Sequence, residues 1–110
     1  MSDCLFCKMA SGAIATDKIY EDDHIFVIKD INPKAKVHLL VIPKLHIDSL
    51  ATVQEDQAPL LGYVMTSLKN FAREQGLDGF RTVINTGKEG GQVIFHLHFH
   101  LLGGGNLPKF

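Results

Sequence analysis

His96-Leu97-His98-Phe99-His100-Leu101-Leu102 sets three imidazoles in strict alternation with apolar side chains. A β-strand has a side-chain period of two. The imidazoles therefore leave from one face, and Leu97, Phe99 and Leu101 leave from the other, into a core. Alternate strand residues stand about 6.5–7 Å apart, within reach of one small ligand. Three of the chain's six histidines fall in this stretch. A single buried histidine is normally satisfied by one hydrogen bond. Three side by side are costly unless they share a task. Metal ligation is one such task, since His-x-His on a strand supplies a ligand pair. Phosphate chemistry is another, with one neutral imidazole attacking phosphorus while a neighbour donates a hydrogen bond.

Outward from this stretch, residues 80–85 (FRTVIN) and 93–102 read as a hairpin around a glycine-rich loop at 86–92. Glycines there let backbone N–H groups approach an anion, flanked by Asn85 and Gln92 as neutral donors. The loop is not a P-loop, because no Gly-Lys-Ser/Thr follows at the required spacing. Upstream, residues 18–21 (KIYE), 24–30 (HIFVIKD) and 36–42 (KVHLLVI) read as strands, the last closed by Pro43. Turns at Glu21-Asp22-Asp23 and Asn32-Pro33-Lys34-Ala35 bring them close together, which favours antiparallel pairing. Residues 4–12 read as a short helix with Leu5, Phe6 and Met9 on its apolar side and Gly12 as its stop. A longer helix follows a capping-box pattern, Thr52-Val53-Gln54-Glu55, with Pro59 either tolerated in a first turn or marking a second start, and Gly76 at its end. Leu60, Leu61, Val64, Met65, Leu68, Phe71 and Ala72 repeat at helical spacing as a core stripe. The expected fold class is α+β: a five-stranded antiparallel sheet, one main helix and a short N-terminal helix, in one domain over residues 1–110.

A chain of 110 residues, 45% hydrophobic and 21% charged, has an ordinary globular composition. Its net charge of −1 provides no electrostatic footprint for nucleic acid or an anionic membrane. No apolar run approaches the ~20 residues that cross a bilayer. Met1-Ser2-Asp3-Cys4 carries an acid and no basic n-region, so a cytoplasmic protein is expected. Cys4 and Cys7 form a C-x-x-C pair, which is half of a metal site, a redox dithiol or two unremarkable thiols. His24 reads as a surface residue.

Together these residues resemble the histidine-triad (HIT) family. HLHFHLL fits its His-x-His-x-His-x-x pattern with apolar x. Residues 20–47 (YEDDHIFVIKDINPKAKVHLLVIPKLHI) and 84–104 (INTGKEGGQVIFHLHFHLLGG) look like the Hint branch, the nucleoside phosphoramidate hydrolases. The resemblance implies a homodimer whose two sheets join into one of ten strands. It implies an AMP-like purine nucleotide as ligand, cleaved at the α-phosphate through a nucleotidyl-histidine. His98 would be the nucleophile, His100 would bond the phosphate or leaving group, and His38 would orient the nucleophilic imidazole. Ile14, Ile28, Asp30 and Ile31 match the nucleoside pocket, with Asp30 on the ribose. Asn85, Gly91 and Gln92 match phosphate contacts. Zinc-binding bacterial members imply a structural Zn²⁺ on Cys4, Cys7, His46 and His96. Two features depart from the pattern. Val93 stands where Hint enzymes often carry Ser or an acid, and the tail after LLGGG is short. These leave room for a nucleotide-binding module with vestigial catalysis. A dinucleoside polyphosphate hydrolase is a further variant, and a catalytic metal on the histidine row is a third class.

Overall fold

The computed structural model describes residues 3–110; Met1 and Ser2, half of the stretch read for a leader, lie outside the described residues. In chain order the elements are α1 (Leu5–Ser11), β1 (Tyr20–Glu21), β2 (Ile25–Lys29), β3 (Val37–Pro43), α2 (Ala58–Glu74), β4 (Phe80–Val83) and β5 (Phe99–Gly103). They form the expected antiparallel five-stranded sheet, in the order β1-β2-β3-β5-β4. Among the described residues no helix is long and apolar enough to cross a membrane.

Strand alternation divides the core between the two faces of the sheet. Ile25, Val27, Leu39, Val41, Phe99 and Leu101 pack under α2 against Val64, Leu68, Phe71 and Ala72. Phe26, Ile28, Leu40 and Ile42 point the other way and bury Phe6 of α1. The middle of the sheet is apolar on both faces because helices cover both. Met65 departs from the expected stripe; it is 49% exposed, since the buried row runs through Val64 and Leu68 instead.

Of the two starts the sequence allows for α2, the capping-box pattern at Thr52 and the second at Pro59, the structure uses the second. Thr52 and Glu55 form no capping box. Instead Thr52 Oγ1 accepts from the Ser49 amide at 3.2 Å, and Gln57 Oε1 accepts from the Gln54 amide at 2.8 Å, each closing a 3₁₀ turn. α2 begins at Ala58, with Pro59 in its first turn, where a missing N–H costs nothing. The histidine strand is also shorter than expected, because the ladder covers only Phe99–Gly103 and leaves 93–98 outside. Val41 pairs with Phe99, so the register would set Pro43 opposite Leu97, and Pro43 has no N–H to offer. The Leu97 amide turns instead to the Ile47 carbonyl at 2.7 Å. The alternation nevertheless continues beyond the ladder, with Leu97 fully buried beside Phe99 and Leu101.

This two-faced packing makes a direct comparison possible. Leu101 is 0% exposed under α2, whereas Leu102, its neighbour on the opposite face, is half-buried. Leu101→Ala should cost about 2–5 kcal/mol in urea unfolding, and Leu102→Ala less than half of that. Equal costs would contradict the assignment of faces.

Candidate active site and metal centre

The three histidines differ because their hydrogen-bond partners differ. His98 Nδ1 lies 2.7 Å from the His96 carbonyl. A carbonyl only accepts, so Nδ1 carries the proton and Nε2 keeps its lone pair. His38 Nδ1 accepts from the Lys34 amide at 3.0 Å, which places its proton on Nε2. That Nε2–H donates to His100 Nδ1 at 2.9 Å. His100 is thereby left with its proton on Nε2, a buried atom with no partner among the described residues. An orphaned buried donor of this kind calls for an acceptor from outside the chain. Two neighbouring imidazoles thus present complementary atoms, a lone pair on His98 and an N–H on His100, with ring centroids 5.2 Å apart.

The charge states follow from burial. His100 is held down to about 4 by burial, then by His98 and His38 beside it. Burial likewise lowers His38, against the opposing pull of Asp30. Both rings are neutral near pH 7. Asp30 Oδ2 lies 3.4 Å from His38 Nε2, and Asp30 Oδ1 accepts from the Asn32 amide at 2.8 Å. Asp30, His38 and His100 bring ligand atoms within 4.8 Å of one another. His38 aims a proton rather than a lone pair at that point, so they act as a hydrogen-bonded relay.

A cavity of about 380 Å³ opens over His98 and His100. Ile28, Asp30, Ile31, Asn85 and Gly91, the residues matched through the resemblance to nucleoside and phosphate contacts, lie along its lining. Ile31 is 91% exposed and forms the rim. His38 stands behind His100, as its relay partner. Ile14 does not reach this cavity; it lines a separate depression beside Cys4, Cys7 and His46. Gln92 is buried within the loop, where Oε1 accepts from the Gly87 amide at 2.9 Å and Nε2 donates to the Asp48 and Ile94 carbonyls at 2.8 and 3.1 Å. The glycine loop is no open cradle. Its amides at 90, 91 and 92 bond the carbonyls of Gly87 and Lys88. Its glycines serve the tight turn: Gly91 has φ +89°, and a Cβ at Gly90 would sit 2.3 Å from the Thr86 oxygen. Leu5, Phe6 and Met9 form an apolar wall that the site residues read from the sequence do not include. The available signal was their place on a helix that also carries Cys4 and Cys7. His24 is exposed, edge-on to Tyr63.

On the far side of His98 the chain assembles a second cluster. Ligand atoms of Cys4, Cys7, His46 and His96 all lie within 4.8 Å of one another. Cys4 Sγ and Cys7 Sγ are 3.3 and 3.5 Å from His96 Nδ1, Cys7 Sγ is 3.3 Å from His46 Nδ1, and the two Nδ1 atoms are 3.1 Å apart. Tetrahedral bonds of about 2.0–2.3 Å put ligand atoms roughly 3.3–3.8 Å apart, so these four donor pairs fit with shifts of a few tenths of an ångström. The tautomers fit as well. His96 Nε2–H donates to the Pro43 carbonyl at 2.7 Å and His46 Nε2–H to Asp48 Oδ1 at 2.7 Å. Both Nδ1 lone pairs are therefore turned to the centre of the cluster, where they could hold a metal, with partners behind them that orient the rings. Burial pushes the Cys7 thiol up, and Cys4 adds to this, in the absence of a cation.

Metal analysis of the purified chain should find one ion per chain, lost in Cys7→Ala and kept in His100→Ala. The reverse pattern would put the ion on the histidine relay. Asp48→Asn should weaken metal affinity about 10–100-fold.

The chain is similar to known proteins along nearly its whole length. A family profile described as the scavenger mRNA decapping enzyme C-terminal binding region matches residues 3–107. Protein HitA of Neisseria gonorrhoeae is 51% identical over 104 residues, 94% of this chain and 97% of that protein. A HIT family hydrolase from Legionella pneumophila superposes with a TM-score of 0.92 at 42% identity, over 96% of both chains. A zinc-bound histidine-triad family protein from Mycobacterium smegmatis superposes with a TM-score of 0.79 at 35% identity, over 94% of this chain and 76% of that one. With a profile spanning nearly every residue and a histidine row built as described, the chain belongs to the histidine-triad family.

Proposed function

We propose that this chain is a nucleotide hydrolase. It would cleave purine nucleoside 5′-phosphoramidates, or related nucleotides, at the α-phosphate. The observation that carries this reading is the pairing of a lone pair on His98 Nε2 with an orphaned N–H on His100 Nε2 at one end of an apolar cavity. The base would rest against Met9, Ile28 and Ile31, with Phe6 buried behind that wall, and Asp30 stands where ribose hydroxyls can reach it. His98 Nε2 attacks phosphorus, the P–N bond breaks, and its electron pair leaves on the amine. That amine takes its proton from water, because Val93 at the cavity edge, 87% exposed, has none to give. His100 Nε2–H and Asn85 bond the phosphate oxygens as charge builds there. Water then cleaves the nucleotidyl-imidazole, releasing the nucleoside monophosphate and restoring neutral His98.

The Cys4, Cys7, His46 and His96 set suits structural zinc. Four protein ligands close a tetrahedral site and leave no position for substrate, and the M. smegmatis neighbour is described as zinc-bound. β4 is an edge strand, and Phe80 on it is 42% exposed. Two copies joined along that edge would give the ten-stranded sheet of a homodimer. A cytoplasmic location is consistent with the free C-x-x-C thiols. Val93 favours a second reading, a nucleotide-binding module whose catalysis is vestigial.

Release of AMP from adenosine 5′-phosphoramidate separates the two. Wild type should release AMP, and His98→Ala should fall by roughly a thousandfold or more while still binding AMP. Full turnover by His98→Ala would remove the nucleophile assignment. AMP binding without release by wild type would favour the module.

A further inference from the structure

The metal centre and the cavity share one short helix and one residue. α1 is capped by Cys4 and carries Cys7, and the same helix sets Leu5, Phe6 and Met9 against the cavity. His96 offers its ring nitrogen to the metal set, and its backbone carbonyl holds the proton of His98 Nδ1. Phe6, only 2% exposed, stands edge-on to both rings, 5.8 Å from His96 and 5.2 Å from His98.

A helix of seven residues is too short to persist by itself. Phe6 anchors α1 against Phe26, Ile28, Leu40 and Ile42. Met9 and Ala10 pack against the same cluster from partly buried positions, and a further hold on the body of the protein is the junction of Cys4 and Cys7 with His46 and His96, which a closed metal centre would make firm. The larger core under α2 contains none of these residues, so it does not need that junction.

Resting on the nucleotide reading above, we infer that the metal centre clamps α1, and so sets both the affinity of the cavity and the aim of His98. Phe6 is the positioning residue through which the clamp acts. With the centre closed, α1 holds one wall of the cavity and packs the edge of Phe6 against the His98 ring. With the centre open, α1 loosens, the wall goes with it, and His98 loses the edge of Phe6 while keeping its bond to the His96 carbonyl and its contact with His100. The metal ion then regulates a reaction in which it takes no chemical part. Loss of the ion, or oxidation of either thiol, would be felt at the nucleophile.

The experiment compares AMP binding by calorimetry in the zinc-loaded chain and in the same chain after chelation, with amide hydrogen exchange on both. Chelation should weaken AMP by about tenfold or more, the factor expected when the docked wall is a minority state. Faster exchange should be confined to residues 4–12, with β3 and β5 still protected, and added zinc should restore both. Phe6→Ala should weaken AMP to a similar extent with one zinc still bound per chain, and Phe6→Leu should recover most of the affinity. Equal affinity with and without zinc, or normal affinity in zinc-loaded Phe6→Ala, overturns the inference and leaves the nucleotide reading standing. Loss of protection across β3 and β5 also overturns it, because the ion would then hold the whole fold. A zinc-loaded wild type that binds no AMP overturns both.

Discussion

The bond from His98 Nδ1 to the carbonyl of His96, two residues behind it, is the contact on which the site depends. It fixes which nitrogen of His98 is basic without using any other side chain. The ring reaches that carbonyl on the approach to β5, where Leu97 and Phe99 enter the core. The apolar half of the alternation therefore has a chemical role. By fixing the backbone it fixes the tautomer, and the tautomer determines that His98 offers a lone pair.

His100 is set by a longer route. The Lys34 amide, in the turn before β3, donates to His38; His38 donates to His100; and His100 is left with an outward N–H. Each step follows from the donor or acceptor character of the preceding atom. Burial keeps His38 and His100 neutral, so the relay stays in this one arrangement near neutral pH. Opposite electrostatic roles thus fall on two chemically identical side chains. A fixed backbone amide starts one chain of bonds and a fixed backbone carbonyl ends the other.

Much of this was legible in the sequence. The three-fold alternation in 96–102 announced the shared face. C-x-x-C announced half of a metal site, and the resemblance to zinc-binding family members supplied His46 and His96 as the other two donors. Five apolar runs announced five strands. What was not legible depended on contacts between distant segments. The end of the β5 ladder follows from Pro43 on another strand and from the capture of the Leu97 amide by Ile47. The glycine loop reads as an anion cradle until its amides are found bonded to its own carbonyls. Ile14 and Phe6 both lie near the N-terminus, and only the docking of α1 decides that Phe6 meets the cavity while Ile14 lines the depression beside the thiols. Asp30 reads as a ribose ligand, but its approach to His38 appears only once β2 and β3 are paired.

The assignment of protons to ring nitrogens is the claim most open to direct measurement. Long-range ¹H–¹⁵N spectra of the imidazoles, recorded near neutral pH on zinc-loaded protein, report the tautomer of each ring. The expected result is a proton on Nδ1 of His98 and on Nε2 of His38, His96 and His100. A proton on Nε2 of His98 would leave it no lone pair to face the cavity and would contradict the site as described.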